Sequence, residues 1–139
     1  MSNLLNHNAT IEKGIESLGI PAADTRGKEA GQWDFNRGSA SVAVGIVNND
    51  RFPNGYFYVN SILMSINDVS AARKEEFFRT LAEINTTLVN MKLCLSNDLI
   101  MLMSNRDATG LDADEVASSI NDLSYYADML DDRLKDDFK

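Results

Sequence analysis

The sequence predicts an α+β fold in which a single antiparallel β-sheet is flanked by helices in the order α-βββ-α-ββ-α. Three observations carry that expectation. Hydrophobic spacing alternates along the chain between a helical period near 3.6 and a strand period of two, in that order. Gly, Pro, Asn and Asp cluster where the period changes. A length of 139 residues, with 44% hydrophobic and 24% charged residues, suits one core built without disulfides, so residues 1–139 are expected to form one domain.

Leu4, Ile11, Ile15 and Leu18 recur at helical spacing, and Gly19-Ile20-Pro21 stops the first helix, because Gly takes the left-handed C′ position and Pro cannot continue. A polar connection over 21–29 follows. Gly31, Trp33 and Phe35 then alternate with Gln32, Asp34 and Asn36, as in a strand with one wet face. After a turn at Arg37-Gly38-Ser39, Ala40, Val42, Val44 and Ile46 mark a second, more buried strand. Phe52-Pro53-Asn54-Gly55 suits a type I turn, with Pro fixing φ at the second position. The third strand runs from Tyr56 to about Ile66, with Tyr56, Tyr58, Ile62 and Met64 on one face and Phe57, Val59 and Leu63 on the other.

The second helix is expected from Asp68 or Ser70, either of which could cap it, to about Met91. Phe77, Leu81, Ile84, Leu88 and Met91 form one stripe. Phe78, Ala82, Asn85 and Val89 form another, about 110° round the helix. One sheet face cannot easily absorb both, so Phe78, Ala82, Asn85 and Val89 are expected to form a homodimer interface. Lys92 to Ser96 and Leu99 to Ser104 read as a hairpin closed by Asn97-Asp98. Asp112 and Glu115 form a capping box for the third helix, whose stripe is Val116, Ile120, Leu123, Ala127, Leu130 and Leu134.

Composition excludes several function classes. The net charge is −8, and from Asp107 onward ten Asp/Glu face three Lys/Arg, against eleven and ten before it. A chain this acidic lacks the basic face that phosphate contact needs, so no nucleic-acid partner is expected. No apolar run approaches the length of a membrane span, and Met-Ser-Asn-Leu-Leu-Asn lacks the features of a signal peptide; the reading is cytoplasmic, without membrane contact.

No residue pattern calls for catalysis, a metal or a cofactor. His7 is the only histidine, and Cys94, in a short apolar strand, has only Lys92 as a basic neighbour. Asp107, Asp112, Asp114 and Glu115 lack the order of a calcium loop and read as a helix cap with a solvated approach. Asp128, Asp131, Asp132, Asp136 and Asp137 oppose the helix dipole, reading as a solvated face or a lure for a basic partner. Trp33, Phe35, Tyr56, Phe57 and Tyr58 read as core or as an aromatic face across adjacent strands; on the second reading Trp33, Phe35, Tyr56 and Tyr58 are the candidate partner-binding residues.

Three stretches carry a family resemblance: Phe77-Phe78-Arg79-Thr80-Leu81-Ala82-Glu83-Ile84-Asn85, the Lys92 to Ser104 hairpin, and Gly110-Leu111-Asp112-Ala113-Asp114-Glu115 leading to Ala127-Asp128-Met129-Leu130. In these the chain resembles the YbjN family, labelled bacterial sensory-transduction regulators, within the type III secretion chaperone-like fold. The resemblance implies a non-enzymatic protein that binds another protein. It also implies a homodimer. The expected activity is chaperone-like: an extended partner segment held by apolar strips and free strand edges. The alternative is a regulatory subunit of sensory-transduction type that docks on a folded partner.

Overall fold

The computed structural model describes residues 2–139, with side chains from residue 6 onward, so the side chain of Leu4 lies outside the described residues. The chain forms α1 (Ser2–Ser17), β1 (Gln32–Arg37), β2 (Ala40–Val47), β3 (Tyr56–Ser65), α2 (Lys74–Asn85), β4 (Lys92–Ser96), β5 (Leu99–Asp107) and α3 (Ala113–Phe138). Short 3-10 turns occupy Ala22–Asp24, Ile66–Asp68 and Ala71–Arg73. The five strands make one sheet in the order β1-β2-β3-β5-β4, with every neighbour antiparallel. The order α-βββ-α-ββ-α is therefore the one expected from hydrophobic spacing.

The core lies between one sheet face and the helices. Ile11 and Ile15 of α1, Phe77, Leu81 and Ile84 of α2, and the whole expected stripe of α3 are buried with Val42, Val44, Phe57, Val59 and Leu102. Burying each such Leu or Ile contributes about 1.5–3 kcal/mol. α1 and α3 approach at a glycine: a Cβ on Gly14 would stand 2.6 Å from Val116 Cγ1 and 2.9 Å from the Ala113 carbonyl oxygen. Only the missing side chain permits that contact.

Both ends of α3 are fastened. The Asp112 carboxylate accepts from the Glu115 N–H at 2.8 Å, giving one half of the expected capping box. The other half is absent because the Glu115 carboxylate pairs with Arg106 instead. At the far end Arg73 donates to the Asp137 carbonyl oxygen and stacks 4.5 Å from the Phe138 ring centroid. Phe138 in turn meets Phe77 edge-on at 5.0 Å. A cation at this end offsets part of the penalty of the acidic last turns.

Two expectations need correction. α2 ends at Asn85 rather than near Met91, and neither Asp68 nor Ser70 starts it. The Thr86 and Thr87 hydroxyls donate to the carbonyl oxygens of Glu83 and Ile84, and the N–H groups of both threonines reach the same acceptors in tight turns. Such local bonds draw threonine pairs out of helices. Val89 thus lies in a loop. In β3, a bulge between Ile62 and Met64 shifts the register, so Met64 is buried opposite Ile100 rather than sharing a face with Tyr56 and Tyr58.

Candidate functional site

The face of the sheet turned away from the core carries no helix among the described residues. Register places its side chains in rows: Ile62, Met101 and Cys94; Ala43, Asn60 and Met103; Gly45, Tyr58 and Asn105; Val47, Tyr56 and Asp107. The Tyr58 ring lies over Gly45, where any Cβ would collide with it. Ile62 is 53% exposed, and Met101, Met103, Cys94, Tyr56 and Tyr58 are half-buried. An apolar band therefore runs over β3, β5 and β4, interrupted by the amides of Asn60 and Asn105. Burial pushes the Cys94 thiol and the Tyr58 hydroxyl up in pKa, so both stay neutral packing surface.

The four aromatic candidates do not share this face. Trp33 is only 2% exposed and sits on the helix side, where its indole N–H donates to the Glu12 carboxylate at 2.8 Å. Phe35, two residues on, also lies on that side and is half-buried against the core. The pleat sends positions 33 and 35, paired with Val44 and Val42, to one side, whereas Tyr58, opposite Gly45, points to the other. Tyr56 and Tyr58 remain on the open band. Glu12 also accepts two bonds from the Arg26 guanidinium at 2.7 and 2.8 Å, which holds its carboxyl below the usual glutamate range.

The rims of the sheet are partly occupied. Beside β1, the Gly27 N–H donates to the Gln32 carbonyl oxygen at 2.7 Å, and the Asp34 N–H donates to the Thr25 carbonyl oxygen at 2.8 Å. Beside β4, the side-chain amide of Asn85 takes both backbone groups of Leu93. Asn85, half-buried and engaged in this way, is withdrawn from the surface stripe expected of α2. That stripe is corrected to Phe78, 40% exposed, and its exposed neighbour Ala82. Near the same rim stand Leu95, 49% exposed, and the loop residue Val89, 75% exposed.

On the helix side, the early end of α2 leaves a cleft of about 640 Å³ between α3 and the loop that precedes β4. Asp112, Asp114, Glu115, Ser118, Ser119 and Asp122 form the α3 wall, Val89, Asn90 and Met91 the loop wall, and Phe57, Ser104 and Arg106 the floor. The Arg106 guanidinium is spent on Glu115 and on the carbonyl oxygens of Asp107 and Thr109. No group of three His, Cys, Asp or Glu side chains that could hold a metal ion exists among the described residues. His7 Nε2 donates to the Asn54 carbonyl oxygen at 3.0 Å, and Asp107 accepts from the Thr109 N–H at 2.7 Å.

The architecture has solved counterparts. The HopA1–SchA chaperone–effector complex contains a chain similar to this one at a TM-score of 0.67 and 12% identity, covering 95% of this chain and 97% of that one. The ExsC–ExsE complex matches at 0.66 and 14%, covering 93% of each chain. The Yersinia pestis type III secretion chaperone SycH, bound to a fragment of YscM2, matches at 0.60 and 14%, covering 88% and 98%. The fold is that of the type III secretion chaperones. No family model and no curated protein sequence matches the chain, so the YbjN part of the resemblance gains no support. No described helix is long and apolar enough to cross a membrane.

Residue order alone misses Met101, Met103 and Cys94 as a surface. Ile100 and Leu102, their neighbours in β5 on the other face, are equally apolar, so no alternation separates the two sides. The hint available was β3, whose alternation already puts Ile62 with Tyr56 and Tyr58.

Proposed function

We propose that this protein is a non-enzymatic, chaperone-like binding module that holds an extended segment of a partner protein against the open face of its sheet. The band of Ile62, Met101, Cys94, Met103 and Tyr58, exposed at Ile62 and half-buried elsewhere, carries this reading, since an apolar patch that no element of the fold covers marks an interaction site. Methionines suit the task because their unbranched, polarisable side chains adapt to irregular ligands. The neighbours with this fold include a secretion chaperone and a chaperone–effector complex, which supports the same class of activity.

Side chains rather than strand pairing supply the grip in this reading. The Thr25–Gly27 segment and Asn85 occupy much of the two rims on which an added strand would have to pair. A homodimer completes the proposal, with Phe78 at its centre and Ala82 and Leu95 around it. The test is a gentle pulldown from the native host with wild type and an Ile62→Asp/Met101→Asp variant. Loss of the recovered partner, with circular dichroism and mass unchanged, is the expected result. Recovery of the same partner by the folded variant overturns the assignment of this face.

A further inference from the structure

The cleft beside α3 opens mainly on the helix side of the sheet and shares only Met103 with the band just described, and its chemistry is different. We propose that it is a second docking site, for a short segment of a partner protein in which lysine or arginine alternates with aliphatic residues. The site exists because α2 stops at Asn85, six residues before its hydrophobic spacing runs out at Met91, leaving the helix-side surface of β5 open at Ser104 and Arg106. A volume of about 640 Å³ falls within the range of clefts that hold a ligand.

Charge complementarity selects the occupant. Glu115 pairs with Arg106 and Asp112 caps α3, but Asp114 and Asp122 make no ion pair among the described residues. The remaining lining cation, Lys92, belongs by register to the other face, opposite Met103 and Asn60. One wall thus carries two unpaired carboxylates, Asp114 and Asp122, about two turns apart with the Ser118 hydroxyl between them. The facing wall offers apolar Val89 and Met91. A partner segment that sets cations against α3 and aliphatic side chains against the loop satisfies both, whereas an acidic or wholly apolar segment leaves one wall unmatched.

The probe is a fluorescein-labelled acetylated peptide, Lys-Leu-Arg-Leu-Lys, titrated against full-length protein by fluorescence anisotropy, with amide chemical shifts mapping the contact. Shifts are expected at Asp114, Ser118, Asp122 and Val89. Asp114→Asn/Asp122→Asn should weaken binding about fivefold, the size expected for two exposed charge contacts. The control Asp132→Asn/Asp136→Asn removes equal charge from exposed positions farther along α3 and should leave binding unchanged. Equal weakening by both variants would mean attraction to net charge alone and overturns the proposal, as does no weakening by either. Shifts on the open face, or a change in oligomeric mass with Asp114→Asn/Asp122→Asn, would also overturn it, the latter by making a second copy the occupant. These outcomes do not depend on Ile62 or Met101, so this site and the open face stand or fall separately.

Discussion

The side-chain amide of Asn85 closes the rim of β4 at Leu93: the Leu93 N–H donates to Asn85 Oδ1 at 2.7 Å, and Asn85 Nδ2 donates to the Leu93 carbonyl oxygen at 3.1 Å. The two bonds mimic a neighbouring strand. They also tie the last residue of α2 to the sheet, which fixes where the helix stops. Asn85→Ala should therefore lower stability by about 1–2 kcal/mol and speed hydrogen exchange at the Leu93 amide. An unchanged exchange rate at Leu93 would show that water replaces the amide without cost.

Gly14 sets the distance between α1 and α3. Gly14→Val should destabilise by about 1–3 kcal/mol through overpacking against Val116 and the Ala113 carbonyl. A urea midpoint equal to wild type would mean that α1 is not held to α3 at this point.

Leu123 is fully buried on the sheet-facing stripe of α3. Leu123→Ala should cost about 2–5 kcal/mol. Tyr125→Ala, on the exposed side of the same helix, is the comparison, and equal midpoint shifts for the two would contradict the assigned face.

Phe78→Asp should convert a homodimer into a folded monomer, because two like charges would meet across a desolvated contact. Light scattering decides it. A wild-type mass of one chain, or a variant that remains dimeric, removes Phe78 from the interface.

Glu12 accepts from Arg26 and from the Trp33 indole, and its folded pKa lies below its ordinary value, chiefly through the Arg26 bonds. A depressed carboxylate contributes stability that is present above the ordinary glutamate pKa and lost as pH falls through the folded one. The stability gap between wild type and Glu12→Gln should accordingly narrow as pH is lowered from about 6 to about 3. A gap that stays constant would mean the pair contributes nothing through its charge.

Residue order reads the scaffold well where a single cause governs each element. β1 and β2 follow their alternation, Gly19 ends α1 at a φ of 81°, and Asn97-Asp98 turns the hairpin at φ values of 50° and 64°. The end of α2 is different. Leu88 and Met91 continue the helical spacing, so only the hydroxyl bonds of Thr86 and Thr87 and the distant partner of Asn85 reveal the stop. The cleft depends on that stop, and on where it falls relative to α3, which no local pattern encodes. Trp33 is similar: the pleat turns it to the helix side, but the partner of its indole N–H, Glu12, lies twenty-one positions away, where no local pattern points to it.

The occupied rims have a bearing on how the protein behaves when it is abundant. A sheet with an apolar face and two unpaired borders is a template on which further copies can stack edge to edge into fibrils. Here Thr25 and Gly27 occupy part of one border and Asn85 part of the other, so fewer backbone groups are left on which a second copy could pair. The chain keeps an apolar surface open to solvent while growth in the hydrogen-bonding direction is hindered at both borders.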